Sequence, residues 1–383
     1  MPPRRLTEPE LPASARKAAT SLRKGWTTGT CAAAAARAAA LLLVEGRPPA
    51  QVEVPLPRGG LRPRFSVERC ERLGEGAAVA VVVKDAGDDP DVTHGAHLTA
   101  TVRLRAEPGL ALAAGEGVGT VTRPGLGLEV GGPAINPAPR RQIAAAIGEV
   151  VDLAALGLAV EISVPGGEKM ARRTTNPRLG IMGGVSILGT TGIVRPFSTA
   201  AWRASVGQAV AVVAAQGGSD IVLTTGGRTE RAAERLLPHL EPVCFIEVGD
   251  FTGYALREAI RHGLRRCVFV GMAGKLAKLA AGTMMTHWTR SRVDPALLAE
   301  ITRAAGGGAG LVAAAAQANT ARHAYELWRA AGLDAACDAL CRQVAENLAA
   351  FAEGRLEVAV LMVDFEDLAL VGASPGARAL VAA

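Results

Sequence analysis

Four segments in the second half of the chain share one form, a short apolar run that stops in a glycine turn. They are VSILGTTG (185–192), DIVLTTGG (220–227), CFIEVGDFTG (244–253) and RCVFVGMAG (266–274). Helical stretches at about 199–216, 228–238 and 252–263 separate them. Strand and helix alternating at this spacing predict βαβ units around a parallel sheet, hence a Rossmann-like layer structure. A helical region follows from Pro295 to Gly354, and a last strand, LEVAVLMVDF, is expected to join a sheet.

The first half has another grammar. RKGWTTGTCAAAAARAAALL (23–42) sets a Thr-Thr-Gly-Thr turn against an alanine helix, expected from about Thr30 to Val44 and stopped by Gly46 and Pro48-Pro49. Thr28 or Thr30 would cap that helix, and the turn either holds an anion or is a plain cap on a closely packed helix. Residues 51–110 read as strands: QVEVPLP, AAVAVVVKDAG and HLTATVRLRAEP, with the acidic loop KDAGDDPDVTHGAH between the last two. A helix from about Pro139 to Ala155 and the strand AVEISVP follow. The expected class is therefore α/β, an N-terminal α+β domain followed by a Rossmann-like α/β/α domain with a mainly parallel sheet. Residues 1–20 are expected as a flexible arm, 21–190 as the α+β domain, and 191–383 as the Rossmann-like domain with its helical C-terminal part. The boundary itself falls between residues 175 and 198.

Charge and cysteine usage narrow the function classes. The formal charge is 42 − 36 = +6, which favours an anionic partner. Only 3% of residues are aromatic and the basic residues are dispersed, so stacking on nucleic acid has little support. Nearly all the cations are arginines; the lysines are Lys17, Lys24, Lys84, Lys169, Lys275 and Lys278. Cys31, Cys70, Cys244, Cys267, Cys337 and Cys341 form no CxxC pair and read as buried thiols, with no protein metal site expected. The alanine stretch contains Arg37 and follows Glu8 and Glu10, so it is not a secretory leader, and no run of about 20 strongly apolar residues suggests a membrane span. The expected location is the cytoplasm.

In an open parallel sheet, ligands bind beyond the carboxyl ends of the strands. The four turns would bring Thr190, Thr191, Thr224, Thr225, Asp250, Thr252 and Lys275 to one crevice, where small residues admit a ligand to the backbone amides. The plainer reading of any single turn is sheet architecture. No GxGxxG and no GxxxxGK[ST] occurs, which counts against a dinucleotide enzyme and against nucleotide hydrolysis. GMAGKLAKLAAGTMMTH adds Lys275, Lys278 and His287, with Arg290 beyond, and EKMARRTTNPRLGIMGGVSILGTTGIVRP adds Arg172, Arg173, Arg178 and Arg195. Such arginines suit a ligand with several acid groups, and a solvated charged loop is the competing account. His94 and His97 are explained better by a turn and a strand face than by a metal, and DAGDDPD lacks the register of a calcium loop.

LRKGWTTGTCAAAAARAA, KDAGDDPDVTHGA, TNPRLGIMGGVSILGTTGIVRPFS, TTGGR and GMAGKLAKLAAGTMMTH, in this order, resemble the cobalt-precorrin-5B C-methyltransferase family of anaerobic cobalamin biosynthesis. The likeness spans about residues 22–365. It implies methyl transfer from S-adenosylmethionine to ring carbon 1 of an anionic cobalt corrinoid, giving cobalt-precorrin-6A, with the cobalt carried by the substrate. It names no catalytic residue. On this reading the donor candidates are Gly189, Thr190, Thr191, Gly192, Thr225, Gly226, Gly227, Asp250 and Gly271. The substrate candidates are Thr28, Thr30, Arg178, Arg195, Lys275 and His287. Self-association and transient contact with neighbouring pathway enzymes are the further partners considered. A nucleotide-dependent oxidoreductase and a corrinoid carrier that binds without turnover remain the alternatives.

Overall fold

The computed structural model describes residues 6–8, 21–58, 60–287 and 293–381. The chain divides into two compact units, residues 17–198 and residues 199–383 together with 1–16. Most of the expected N-terminal arm and Arg290 lie outside the described residues.

In the first unit, helix α1 (Thr28–Glu45) is the centre of the core. Thr27, not Thr28 or Thr30, is its N-cap, and the Thr27 hydroxyl accepts the Thr30 N–H at 3.2 Å. Gly46 ends it in the left-handed conformation, its N–H returning to the Leu42 carbonyl. Cys31 to Ala36 and Ala38 to Ala40 are all buried, so only methyl-sized side chains let sheet and helix backbones approach on every face. By length and composition this is the one helix among the described residues that qualifies to span a bilayer, and it is mostly buried within the protein.

Strands β1 (Arg69–Arg72), β2 (Ala77–Val83), β3 (His97–Arg105), β4 (Gly109–Ala114) and β5 (Gly157–Ser163) form a sheet of order β1-β2-β3-β5-β4. All its pairs are antiparallel except β4 with β5. Alternate residues Ala78, Ala80 and Val82 of β2, and Leu98, Ala100 and Val102 of β3, join the α1 cluster, the period-two pattern of a sheet with one face on the core. Helix α2 (Pro137–Gly148) packs on α1 through Ile143, Ala146 and Ile147. It starts two residues before the sequence suggests, with Pro137 at its first position, and ends at Gly148 rather than Ala155. There the Val150 and Val151 amides both turn back to the Ile147 carbonyl.

The first of the four glycine-ended runs is a correction. Val185 and Ile187 make only isolated bridges, to Val118 and Ile135, and VSILGTTG belongs to the first unit, not to the parallel sheet. Backbone crowding explains it: a Cβ on Gly184 would lie 2.2 Å from the Gly117 carbonyl oxygen, so the segment is a strap pressed on its neighbours.

The second unit carries the βα rhythm. In order come α3 (Thr199–Ala215), β6 (Asp220–Thr224), α4 (Gly227–Leu236), β7 (Phe245–Glu247), α5 (Thr252–Arg261), β8 (Arg266–Gly271) and α6 (Ala273–Ala280). Helices α7 (Pro295–Ala304), α8 (Ala309–Ala316), α9 (Ala321–Ala330) and α10 (Ala335–Phe351) follow, then β9 (Glu357–Val363) and β10 (Leu370–Ala373). The sheet order is β7-β6-β8-β9-β10, parallel except for the β9/β10 pair. The chain is thus a mixed α/β protein with parallel and antiparallel sheets. Residues 6–8 dock on this unit: the Met284 N–H donates to the Thr7 carbonyl at 2.7 Å, and Glu8 pairs with Arg257.

Candidate functional site

Three of the four turns meet at the carboxyl end of the parallel sheet in the second unit. Thr224 faces Glu247 of β7 on one side and Val270 of β8 on the other, so the three strands end level. Beyond them lies a polar knot. Asp250 is ion-paired with Lys275, its Oδ1 accepts the Thr286 hydroxyl at 2.9 Å, and the Lys275 Nζ also donates to that hydroxyl at 3.2 Å. Lys278 donates to the Thr286 carbonyl at 3.0 Å. Partial burial, and then the like charge of Lys275, lower the Lys278 pKa against the opposing pull of Asp250. His287 follows Thr286, half-buried. The Lys275 and Asp250 side chains keep 30% and 24% of their surface, so a ligand can reach both.

Helix register makes the knot. Lys275 and Lys278, three apart on α6, share a face, and Asp250 sits two residues before the start of α5. Thr286 is the member that sequence reading missed; as one threonine in GTMMTH it carries no signal.

The Thr225–Gly227 turn is closed by a residue also missed, Thr229. Its hydroxyl accepts the Thr225 and Gly226 amides at 3.0 and 3.1 Å and donates to the Gly226 carbonyl at 2.8 Å. Those two amides are therefore committed to the protein, while the Thr225 side chain stays half-exposed. Gly271 is a packing glycine at the end of β8: a Cβ there would meet the Phe269 ring at 3.0 Å.

Two observations bear on whether this end suits a nucleoside–sulfonium donor. Thr252, fully buried at the start of α5, has a hydroxyl with no hydrogen-bond partner among the described residues. Over Gly274 nothing lies within 4 Å of the place a Cβ would occupy, and over Gly226 only Glu247 Oε1 comes that near, at 3.9 Å. A carboxylate, a spare hydroxyl and open space above glycines are a donor set that fits such a group.

The remaining candidates lie in the first unit. Thr28 is buried, donates to the Ser186 and Leu188 carbonyls, and accepts the Leu188 N–H at 2.9 Å. Thr30, with no exposed surface, donates to the Gly192 carbonyl at 2.9 Å and meets Gln142 at 3.3 Å. Both hydroxyls bind protein rather than solvent. Gly189 and Gly192 have φ of 127° and 81°, and a Cβ on either would strike Thr27 at 2.5 Å or Thr30 at 2.7 Å. These glycines let the strap close over the helix start. Thr190 is exposed, and the Thr191 hydroxyl accepts the Ile193 amide. Arg178 is half-buried with contacts of its own, Arg195 is exposed, and Arg172 pairs with Glu168.

In the acidic loop, Lys84 is almost wholly buried and its Nζ donates to Asp91 at 2.7 Å. Burial raises the Asp91 pKa, but Lys84 and the Thr93 hydrogen bonds outweigh it and hold the carboxyl below its ordinary value. His94 accepts the Ala86 amide through Nδ1, and His97 lies beside Glu68. Among the described residues no three His, Cys, Asp or Glu side chains converge, and burial pushes the Cys31 and Cys267 thiols up to about 12.

Comparison with known proteins covers almost the whole chain. Residues 15–196 match the family model described as CbiD, and residues 285–374 the one described as CbiD, C-terminal domain. A Rubrobacter xylanophilus protein named cobalt-precorrin-5B C(1)-methyltransferase is 68% identical over 100% of this chain and 99% of its own. Proteins of the same name from Salinispora arenicola, 64% identical over 98% of each chain, and Methylococcus capsulatus, 53% identical over 90% and 91%, are also similar. Among solved structures, a cobalamin biosynthesis protein (cbiD) from Archaeoglobus fulgidus is 28% identical over 73% of this chain and 91% of that one, with a TM-score of 0.37.

Proposed function

Because the chain belongs to the cobalt-precorrin-5B C(1)-methyltransferase family, we propose that the open end of its parallel sheet holds the methyl donor, S-adenosylmethionine. The protein is a methyltransferase of cobalamin biosynthesis that methylates cobalt-precorrin-5B at C1. The reading that goes further treats the second unit as Rossmann-like, on the ground of its parallel strands and intervening helices. The observation that carries the donor assignment is the partly exposed Asp250 carboxylate, two residues before a Thr252 hydroxyl that has no partner among the described residues.

When bound, the donor supplies an electrophilic methyl group. The nucleophile is a ring carbon, so this chain's residues need little acid–base power; their work is to hold, align and shield. Asp250 offers negative charge to a cation or acceptor oxygens to a ribose, and Thr225 and Thr252 offer hydroxyls. Alignment of the reacting atoms supplies roughly 7–11 kcal/mol at best. Lys275 and His287 border this end and suit an acid arm of the corrinoid, whose cobalt arrives as part of the substrate. The product is cobalt-precorrin-6A, and the cytoplasm is the proposed location.

Calorimetric titration with S-adenosylmethionine, followed by a methyl-transfer assay on the cobalt corrinoid, tests this reading. Donor binding that Asp250→Asn weakens supports it. Corrinoid binding with no donor binding and no turnover would favour a carrier.

A further inference from the structure

The first unit contains a cleft of about 390 Å³ between the segment after Glu53 and the start of α2. Arg58, Arg141, Ala138, Gln142, Leu56 and Thr190 are among its lining residues, and no Asp or Glu is. From it we infer a site for a carboxylate arm of the corrinoid substrate, gripped by Arg58 and Arg141. This inference rests on the methyltransferase reading for the identity of the ligand.

The arginines nearby show why these two stand out. Arg62 and Arg37 both bind Glu149, Arg64 pairs with Glu53 at 2.8 Å, and Arg140 donates to the Ile135 carbonyl at 2.7 Å. The side chains of Arg58 and Arg141 have no ion pair and no hydrogen bond among the described residues. Two guanidinium groups line one cleft, then, with their charges uncompensated, where an anion would be held by bidentate hydrogen bonds.

The wall behind them is fixed. Gln142 is buried, and its amide donates to the Pro55 carbonyl at 3.1 Å and to Thr30 at 3.3 Å. Leu56 and the flanking prolines give an apolar side. Prolines at 137 and 139 leave Ala138 the sole N–H among the first three residues of α2, and Asn136 does not cap it through its side chain. The size suits part of a ligand. Whole small-molecule sites run from about 300 to 1,000 Å³, so this cleft accepts an acetate or propionate arm and a ring edge rather than a macrocycle. The arm's methylenes would lie on Leu56 and its carboxylate would meet the arginines.

The test uses the full-length protein and cobyrinic acid, a corrinoid with its acid arms free. Wild type should bind it in a salt-sensitive manner and bind its fully esterified counterpart at least about tenfold more weakly. Arg58→Gln with Arg141→Gln should lose about tenfold or more in affinity for the free acid, and the Lys replacements should recover only part of it. Calorimetry with S-adenosylmethionine alone should give the same donor affinity for wild type and the double Gln variant. Equal binding of acid and ester by wild type, undiminished acid binding by the double variant, or no acid binding by wild type would each overturn the assignment. Acid binding that depends on these arginines, in a protein that transfers no methyl group, would instead sink the methyltransferase reading and leave the carboxylate site standing.

Discussion

Lys275 neutralises Asp250 at the open end of the parallel sheet, while Thr286 hydrogen-bonds to both. A cationic donor must therefore compete with the Lys275 ammonium for the same carboxylate. Lys275→Met should strengthen binding of S-adenosylmethionine relative to its demethylated product, whose sulfur carries no charge, and Asp250→Asn should narrow that preference by about tenfold. Paired calorimetric titrations give the ratio. A preference unmoved in both variants would remove Asp250 from the sulfonium side.

Thr252 sets stability against binding. Its buried hydroxyl has no partner among the described residues, so Thr252→Val should stabilise the ligand-free protein by about 1 kcal/mol, a loss of desolvation cost with little change of shape. The same change should weaken donor binding. Thermal melts with and without S-adenosylmethionine read the two signs, and a destabilised variant would mean that the hydroxyl has a protein partner after all.

The pair of buried Lys84 and partly exposed Asp91 predicts non-additivity. Lys84→Met takes the buried partner from the Asp91 carboxylate, which keeps its Thr93 hydrogen bonds and some solvent, and should cost about 1–3 kcal/mol. Adding Asp91→Asn should recover part of that loss. Urea unfolding of the two single variants and the double gives the coupling, and simple additivity would contradict the burial.

Glu149 gives an acid-side prediction. The Arg62 hydrogen bond, followed by burial acting the other way and by Arg37, leaves its carboxyl pKa lowered to about 2. A folded pKa below the unfolded value contributes stability above the unfolded value and loses it as pH falls through the folded one. That contribution should fade between about pH 4.5 and pH 2. Glu149→Gln should flatten the stability profile across that window; parallel profiles would deny the pair any role in folding.

The strap over α1 should be intolerant of side chains. Gly192→Ala adds a methyl 2.7 Å from the Thr30 hydroxyl and forces alanine to a positive φ, so a loss of about 1–3 kcal/mol is expected. Thr27→Ala should cost about 1 kcal/mol through the lost cap. Denaturant midpoints check both, and a neutral Gly192→Ala would show that the strap yields easily.

Legibility in the sequence followed the local signal. Asp220–Thr224, Phe245–Glu247 and Arg266–Gly271 announce themselves by apolar runs and glycine turns, and the Ala-rich α1 by propensity. VSILGTTG carries the same local pattern yet lies elsewhere, because pairing with Val118 and Ile135 is a long-range choice that periodicity does not encode. The knot at the sheet end was half visible: Asp250 and Lys275 stand out by type, whereas Thr286 and Thr229 matter only through where the backbone puts them. Arg58 and Arg141 could not be singled out in an arginine-rich chain, since being without a partner is a property of three dimensions. Thr28 and Thr30 looked like ligand groups for the converse reason, as nothing in the TTGT string reveals that a distant strap takes up both hydroxyls.

That strap also has a meaning in time. Thr28 waits for Ser186, 158 residues further along, and Thr30 for Gly192, 162 residues on. A ribosome must deliver nearly all of the first unit before its alanine helix can be sealed. Until then the helix start has unmet hydroxyls and methyl faces open to chance partners. Chains released before residue 192 should therefore be drawn to chaperones or aggregate, and those released soon after Ser198 should not.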